Sequence, residues 1–385
     1  MPPPPPPSRT RRRRRGVSSF AWLAVVPAAI LAVVLIAHAN QPVRTSPPAS
    51  GVVVVASLPY WSIGPGTEAV LANRQDVNEV SPWMYGVGSS SQIILDSGIN
   101  KSAISVYLNR LRAKGLPLVP TLANVDAQGS WSYGPVARML HDPAMATRQV
   151  ADIVTLVDSN HYAGIDLDYE DLHAGDRQAF TTFVTDLASA LHAKGKILSV
   201  ALFAKTTNAG YAPRNVAQDY AAIGKVADEV RLMTYDYHWA TSPPGPVAPI
   251  GWVRDVIKYA KTQIPRSKIV LGIPQYGYDW SGGHGTSITW LQALQLSRRY
   301  HAQPHYDASS QSPWFTYTDA SGHEHTVWFE NAESSRAKFD VAQGSGIGGV
   351  YLWMYGTADP GTWSVLHEVL PLGSGSAAPS PRGSS

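Results

Sequence analysis

The chain of 385 residues contains no cysteine. Disulfides, thiolate metal sites and cysteine nucleophiles are therefore excluded, while the redox compartment is left open by this route. Charged residues are also scarce, at 15% of the sequence, whereas hydrophobic residues make up 44%. A chain of this length and composition buries a sizeable core, which fits one large α/β domain or two small ones. No repeat occurs at the periods typical of solenoid proteins.

A broad basic surface is missing as well. The formal net charge of +3 depends on six arginines that precede residue 17, so the remaining chain carries a net charge of about −3. Nucleic-acid binding needs a basic face, and we therefore expect no nucleic-acid partner. Aromatic residues are abundant instead, with 12 Trp and 18 Tyr. Their flat amphipathic rings suit the faces of sugars, although they equally suit an ordinary core.

The first 39 residues resemble a targeting segment rather than part of a fold. Residues 1–17 form a basic, Pro/Arg-rich cytoplasmic segment, and residues 18–39 carry no charged side chain. At about 1.5 Å per residue, a helix over this stretch spans a bilayer, and the arginines before it predict an exported body. We expect a single-pass anchor in the cell membrane. The alternative is a signal peptide cleaved after Ala37-His38-Ala39, which would make the protein secreted.

Residues 40–51 form a Pro/Ser-rich linker, and residues 373–385 form a Gly/Ser/Pro/Ala-rich tail that we expect to be disordered. Between them, over residues 52–372, strand-like and helix-like runs alternate, which indicates a parallel α/β architecture. The strand candidates are 52–58, 79–84, 116–122, 164–168, 197–201, 229–234, 269–273 and 349–354. Eight strands separated by helices predict a (β/α)8 TIM barrel.

The long segment between the seventh and eighth strand candidates predicts an insertion. Residues 276–331 contain a helix-like run at 289–300 and hairpin-like runs at 313–318 and 325–329. We interpret this segment as a small α+β insertion on the face of the barrel where such folds carry their active sites.

Three carboxylates alternate with apolar residues in the sequence GIDLDYE at residues 164–170. Alternate side chains share one face of a strand, so Asp166, Asp168 and Glu170 are expected to point into the barrel. Unpaired charge is costly there, and Glu170 lies nearest the carboxyl end, where barrel active sites are found. The pattern favours catalysis, and a structural polar network or a divalent-metal site are the alternatives.

Further motifs follow the later strands. The sequence MTYD at 233–236 ends the sixth strand candidate, and Trp353 ends the eighth. Together with Asp166, Asp168 and Glu170, these residues resemble the DxxDxDxE, MxYD and closing-tryptophan motifs of glycoside hydrolase family 18, the chitinase-like barrels. The phrases at 235–239, 243–249, 271–277 and 327–330 are similar to the bacterial spore-germination and cortex-lytic branch. The resemblance covers about residues 52–372.

The resemblance implies a glycosidase in which the 2-acetamido group of the substrate acts as the nucleophile. Glu170 would then be the general acid, and Asp168 would orient the acetamido N–H and stabilise the developing positive charge. Asp166 would share a proton or a hydrogen bond with Asp168. Tyr235 would donate its hydroxyl to the acetamido group.

Substrate-binding residues follow from the same resemblance and from strand ends. Asp236 would join the polar ring around the cleaved sugar, and Trp353 would form the floor beneath it. Tyr60, after the first strand, and Gln275 and Tyr276, after the seventh, are further candidates for sugar contacts, with core packing as an equal alternative. We predict no metal site and no cofactor, and we expect a monomer whose partners are an N-acetylated glycan and the membrane.

Two positions depart from the family pattern. Ala163 occupies the first acidic position of DxxDxDxE, which puts the proton-shuttling part of the mechanism in question. The sequence LAN at 122–124 replaces the SxGG common in chitinases, which favours the cortex-lytic branch. The predicted function is an exported hydrolase of β-1,4-linked N-acetylglucosamine-containing glycans, either peptidoglycan or chitooligosaccharides. The alternative is a non-catalytic glycan-binding barrel at the cell surface, and the retained Glu170 and Asp168 favour the enzyme.

Overall fold

The computed structural model describes residues 51–95, 98–209 and 212–372. The predicted segments 1–17 and 18–39 and the tail 373–385 lie outside these residues. Within the described ranges, no helix is both long and apolar enough to cross a membrane.

The described chain alternates strands and helices. The strands are β1 (Val53–Pro59), β2 (Glu79–Val87), β3 (Ile93–Leu95), β4 (Thr121–Ala123), β5 (Gly164–Asp168), β6 (Ile197–Phe203), β7 (Glu229–Met233), β8 (Ile269–Pro274), β9 (Tyr276–Ser281), β10 (His284–Thr289), β11 (His305–Asp307), β12 (Ser312–Thr318), β13 (Glu324–Trp328) and β14 (Gly349–Trp353). The α-helices are α1 (Ile63–Ala72), α2 (Lys101–Ala113), α3 (Tyr133–His141), α4 (Pro143–Ser159), α5 (Arg177–His192), α6 (Pro213–Val216), α7 (Tyr220–Val226), α8 (Ile250–Gln263), α9 (Trp290–Arg299), α10 (Ala332–Ser345) and α11 (Gly361–Val369).

Eight parallel strands close into a barrel. Their order is β1, β2, β4, β5, β6, β7, β8 and β14, and β14 pairs with β1 to complete the ring. β3 adds to the edge of β2 as an antiparallel strand. The (β/α)8 barrel predicted from the alternation of strand and helix patterns is confirmed.

The third barrel strand is shorter than the pattern suggests. The prediction was a strand over 116–122, whereas β4 covers only Thr121–Ala123, with a single isolated bridge between Leu118 and Val80. Pro117 and Pro120 explain the difference, because a proline has no N–H to donate to a strand ladder.

A second sheet of five antiparallel strands follows β8 directly. Its strand order is β10, β9, β13, β12 and β11. α9 belongs to the same segment of chain, and Ala293 of this helix joins Ile288, Phe315 and Val327 of the sheet in a separate apolar cluster. Since only one residue, Gln275, separates the end of β8 from the start of β9, the sheet starts at the carboxyl end of the barrel strands. We call β9 to β13 with α9 the second sheet unit.

Glycine allows the acid-bearing strand to approach its neighbour. Gly164 begins β5, and a Cβ atom added there would lie 2.1 Å from the carbonyl oxygen of Ile197 in β6. Real Cβ atoms do not tolerate such a distance, so a larger residue would push β5 away from β6. The position of the following acids in the barrel therefore depends on this glycine.

The barrel interior holds a buried cluster of charges around Arg231 of β7. Its guanidinium lies 2.6 Å from Glu79, 3.2 Å from Asp166 and 3.4 Å from Glu229, and it donates to the Ser81 hydroxyl at 2.8 Å. Burial opposes the positive charge, but the three carboxylates outweigh it and raise the pKa of Arg231. One cation therefore pairs with carboxylates of three strands, β2, β5 and β7.

The apolar contacts between barrel and helices predict a large cost for truncating a core side chain. Leu187 of α5 is fully buried, so Leu187→Ala should lower the free energy of unfolding by about 2 to 5 kcal/mol. Leu291 of α9 is 53% exposed, so the same change there should have an effect within about 0.5 kcal/mol. Urea unfolding of both variants checks this prediction, and similar losses for the two would contradict it.

The charge cluster predicts that Arg231 is needed for folding. Arg231→Met leaves three buried carboxylates without their cation, and we expect the free energy of unfolding to fall by about 3 to 5 kcal/mol. Arg110→Met is the matched control, because Arg110 pairs with Glu68 at the surface and its loss should change stability little. Denaturant titrations in which the two variants behave alike would refute the central role of Arg231.

Candidate active site

An open cavity of about 500 Å³ lies at the carboxyl end of the barrel strands. This volume is within the range of sites that bind small ligands. Five carboxylates line it: Asp166, Asp168, Glu170, Asp171 and Asp236. Aromatic walls surround them: Trp83, Trp131, Phe203, Tyr235, Trp239, Tyr351 and Trp353. The cavity therefore combines hydrogen-bonding acids with flat apolar rings, as a sugar site requires.

The acid strand has the two faces that its sequence predicts. Asp166 and Asp168 of β5 line the cavity inside the barrel. Ile165, Leu167 and Tyr169 are fully buried on the other side, and the Tyr169 ring stacks at 6.1 Å on Phe183 of α5. The strand thus uses its apolar face to hold the helix layer and its acidic face to form the cavity floor.

Asp166 lies deepest and is fully satisfied. Its carboxylate accepts hydrogen bonds from the hydroxyls of Thr121, at 2.9 Å, and Ser199, at 2.7 Å, and it pairs with Arg231. Of the proton or hydrogen bond that we expect it to share with Asp168, the described residues show no hydrogen bond. The reason is that its oxygens already have hydroxyl and guanidinium partners.

Asp168 is less well satisfied. Oδ2 accepts a hydrogen bond from the indole N–H of Trp83 at 3.4 Å, while Oδ1 is buried and has no hydrogen-bond partner among the described residues. Burial raises the pKa of Asp168, and the charge of Asp166 raises it further, whereas Trp83 and Arg231 act in the opposite direction. An unsatisfied buried acceptor in a cavity is a place for a ligand donor.

Glu170 follows the end of β5 and is partly exposed to the cavity. Burial raises its pKa well above the ordinary value, and the neighbouring charge of Asp168 adds to this, while Arg214 opposes it. Because Asp168 and Glu170 interact, they titrate as a pair rather than as independent acids. The arrangement therefore retains a proton at a higher pH than an isolated carboxyl group would.

Tyr235 and Asp236 follow β7 and occupy the wall beside the acids. The Tyr235 hydroxyl lies 2.9 Å from that of Tyr351, which also lines the cavity. Asp236 has a left-handed backbone, with φ of 55°, and its Oδ1 accepts hydrogen bonds from Tyr276, at 2.6 Å, and Tyr278, at 3.0 Å. Burial raises the pKa of Asp236, and these tyrosine hydrogen bonds oppose the increase. The second sheet unit thus fixes one cavity carboxylate.

Three predicted sugar contacts lie outside the cavity lining. Gln275 is buried, and its amide donates a hydrogen bond to the Ser335 hydroxyl of α10 at 3.3 Å. Successive side chains of an extended chain point to opposite sides, so Gln275 points toward the helices, away from the side of Pro274 and Tyr276. Tyr276 lies behind Asp236 and supports it. Tyr60 packs on the edge of a cluster that contains Trp83. Trp353, by contrast, lines the cavity as predicted.

Several cavity residues were not identified from the sequence. Trp131 and Trp239 are large exposed rings, and they line the cavity together with Arg214 and Tyr351. Arg231 was missed as well, although the alternation of charged and apolar residues in Glu229-Val230-Arg231-Leu232 is the same signal that identified the acid strand. The loop tryptophans carry no such periodic signal.

Comparisons with known proteins agree with this geometry. Residues 111–358 match the model of the glycosyl hydrolases family 18. The chain is 32% identical over 306 residues to the cortical fragment-lytic enzyme of Bacillus subtilis, covering 77% of this chain and 70% of that protein. The spore cortex-lytic enzyme SleL of Bacillus cereus has a similar structure, with a TM-score of 0.76 and 27% identity over 83% of this chain and 74% of that one.

A chitinase from Chromobacterium violaceum is also similar, with a TM-score of 0.77 and 32% identity. The alignment covers 83% of this chain and 99% of the chitinase. The family resemblance deduced from the motifs is therefore confirmed. The chain belongs to glycosyl hydrolase family 18 and is a glycosidase.

Proposed function

We propose that this glycosidase cleaves β-1,4-linked N-acetylglucosamine-containing glycans by a substrate-assisted, retaining mechanism. The observation that carries the proposal is the buried Oδ1 of Asp168, which has no hydrogen-bond partner among the described residues and belongs to a residue that lines the cavity two positions before Glu170. A 2-acetamido N–H is a donor suited to this oxygen. Once held there, the acetamido group has its carbonyl oxygen free to attack the anomeric carbon, so no enzymic nucleophile is required.

Glu170 acts as the proton donor in this mechanism. Its raised pKa lets it hold a proton at a higher pH than an ordinary glutamate does, and its side chain is partly exposed at the cavity. The proton goes to the glycosidic oxygen as the bond to the anomeric carbon breaks. Asp168 keeps the negative charge of the pair, because Trp83 donates to it and Arg231 lies nearby.

Asp168 and Tyr235 stabilise the cyclic oxazolinium-like intermediate. The carboxylate of Asp168 offsets positive charge that develops on the acetamido nitrogen. If Tyr351 donates its proton to Tyr235, the Tyr235 hydroxyl is free to donate to the acetamido oxygen. Asp236, held by two tyrosines, and Trp353 bind the polar edge and the apolar face of the same sugar.

Ala163 does not remove the basis for this mechanism. Asp166 obtains its stabilisation from Arg231, Thr121 and Ser199 rather than from a further carboxylate. The Trp83 hydrogen bond and the charge of Arg231 lower the pKa of Asp168 and so favour the carboxylate that the mechanism needs, whereas the charge of Asp166 acts in the opposite direction. The role of the missing acid is thus divided between two hydroxyls on the adjacent strands β4 and β6 and a cation on β7.

We further propose peptidoglycan or its fragments as the substrate, with chitooligosaccharides next. The matched enzymes from Bacillus are described as lytic for spore cortex and its fragments, and the matched Chromobacterium protein as a chitinase. Both glycans contain the 2-acetamido sugar that Asp168 would hold. A peptidoglycan substrate lies outside the cytoplasm, which agrees with the expected export through residues 18–39, either as a membrane anchor or as a cleaved signal.

Removal of the proposed proton donor should abolish most of the activity. Glu170→Gln keeps the shape of the side chain but cannot transfer a proton, so we expect the release of reducing ends from peptidoglycan fragments and chitooligosaccharides to fall by about 10²- to 10⁴-fold. Glu333→Gln, the same change at an exposed site in α10, should retain wild-type activity. Equal rates for wild type and Glu170→Gln would reject the proposal. Binding without hydrolysis by the wild type would support the glycan-binding alternative.

Removal of the positive charge of Arg214 should extend activity to higher pH. Arg214 lies 3.3 Å from Asp171 and over the Phe203 ring, and its charge lowers the pKa of Glu170. Arg214→Gln should therefore raise this pKa, and because the protonated acid is the active form, the basic limb of the profile of kcat/KM against pH should move upward. Arg214→Lys keeps the charge and should resemble the wild type. A shift of the basic limb to lower pH in Arg214→Gln would contradict the assignment of Glu170.

A further inference from the structure

We propose that Asn124 is a positioning residue that holds the proton donor Glu170 in its working position. This inference rests on the proposed function of Glu170. Asn124 is fully buried, and both ends of its amide bind the main chain of one residue. Its Nδ2 donates to the carbonyl oxygen of Glu170 at 2.8 Å, and its Oδ1 accepts from the Glu170 N–H at 2.7 Å.

The barrel itself leaves Glu170 without strand partners. The pairing of β4 with β5 ends at Ala123 and Asp168, so the main chain of Glu170 lies beyond the ladder. Asp171 then turns the chain, with a left-handed φ of 51°. The amide of Asn124 provides the donor and the acceptor that a neighbouring strand would otherwise offer to Glu170.

Asn124 also connects the acid to one wall of the cavity. Its own N–H donates to the carbonyl oxygen of Asp168 at 3.3 Å, and its carbonyl oxygen accepts from the Ser132 N–H at 2.8 Å. Between these points the chain forms a short hairpin, closed by a bridge between Val125 and Trp131. Trp131 lines the cavity, so one buried residue ties this ring to the main chain of the acid pair.

The amide chemistry makes asparagine specific for this position. A carboxylate of the same shape lacks the donor for the Glu170 carbonyl and adds a negative charge beside Asp168 and Glu170. Alanine lacks both groups and leaves two main-chain groups at the cavity edge without their partner. Without these two hydrogen bonds, the main chain of Glu170 shifts and displaces its carboxyl group. Small displacements of a catalytic group have large effects on rate.

The test compares Asn124→Ala with Asn78→Ala. Asn78 makes a similar pair of amide bonds to the main chain, to Val54 N–H at 2.8 Å and to the Val52 carbonyl at 3.0 Å, but at the amino end of the barrel. Both variants lose stability. Only Asn124→Ala should lose kcat, by about 10- to 100-fold with a much smaller change in KM.

The pKa of Glu170 gives a readout that stability alone does not move. Freed from its place beside Asp168, Glu170 becomes more solvated, and its pKa should fall toward the ordinary value in Asn124→Ala. In Asn124→Asp the added charge should raise it instead. Side-chain carboxyl NMR measures both shifts, and in an active enzyme the basic limb of the rate profile should move in the same directions.

The outcomes separate this inference from the proposed function. An unchanged kcat and an unchanged Glu170 pKa in folded Asn124→Ala would overturn the positioning role, whatever its stability. If Asn124→Ala fails to fold, Asn124→Asp is the deciding variant. An unchanged Glu170 pKa in Asn124→Asp would also overturn the positioning role. If the wild type proves inactive on glycans, the proposed function fails, while the NMR titration still tests whether Asn124 controls Glu170.

Discussion

The charge balance inside the barrel is the constraint on which the site depends. Arg231 is buried in the barrel interior, and its one positive charge is already shared by Glu79, Glu229 and Asp166. Asp168 and Glu170 continue the same column of acids toward the mouth, where no equivalent cation is buried with them in the described chain. Ionising every acid would leave a large uncompensated charge in an environment that screens it poorly. The pKa values of Asp168 and Glu170 are raised accordingly, so these two acids hold protons to a higher pH than isolated carboxyl groups would.

Much of the fold and the central acids could be predicted because their signals are local. The alternation over residues 164–170 placed Asp166 and Asp168 inside the barrel, and the alternating strand and helix patterns predicted the eight-stranded ring. The misses come from contacts distant in sequence. Arg231 and Glu79 are separated by 152 positions, and the preference of Asp166 for Arg231 over Asp168 follows from that packing. Gln275 donates to Ser335 of α10, a residue 60 positions away, which no local pattern around residue 275 reveals.

The departures from the family pattern have structural counterparts. Ala163 lacks a carboxylate, and Asp166 has Thr121, Ser199 and Arg231 around it instead. The sequence at 122–124 ends in Asn124, whose amide forms two hydrogen bonds with the main chain of Glu170. These substitutions change the residues around Asp166, Asp168 and Glu170, while those three acids are retained. A motif comparison that counts only the acids would consequently miss how this chain holds them.

The two walls of the cavity are connected to the acids in different ways. On one side Asn124 links the main chain of Glu170 to the hairpin that carries Trp131. On the other, the hydroxyls of Tyr276 and Tyr278 in β9 hold the side chain of Asp236. The first connection fixes a backbone and the second fixes a carboxylate. The second sheet unit therefore supports the cavity through Asp236, whereas the hairpin of Trp131 is tied to the main chain of Glu170.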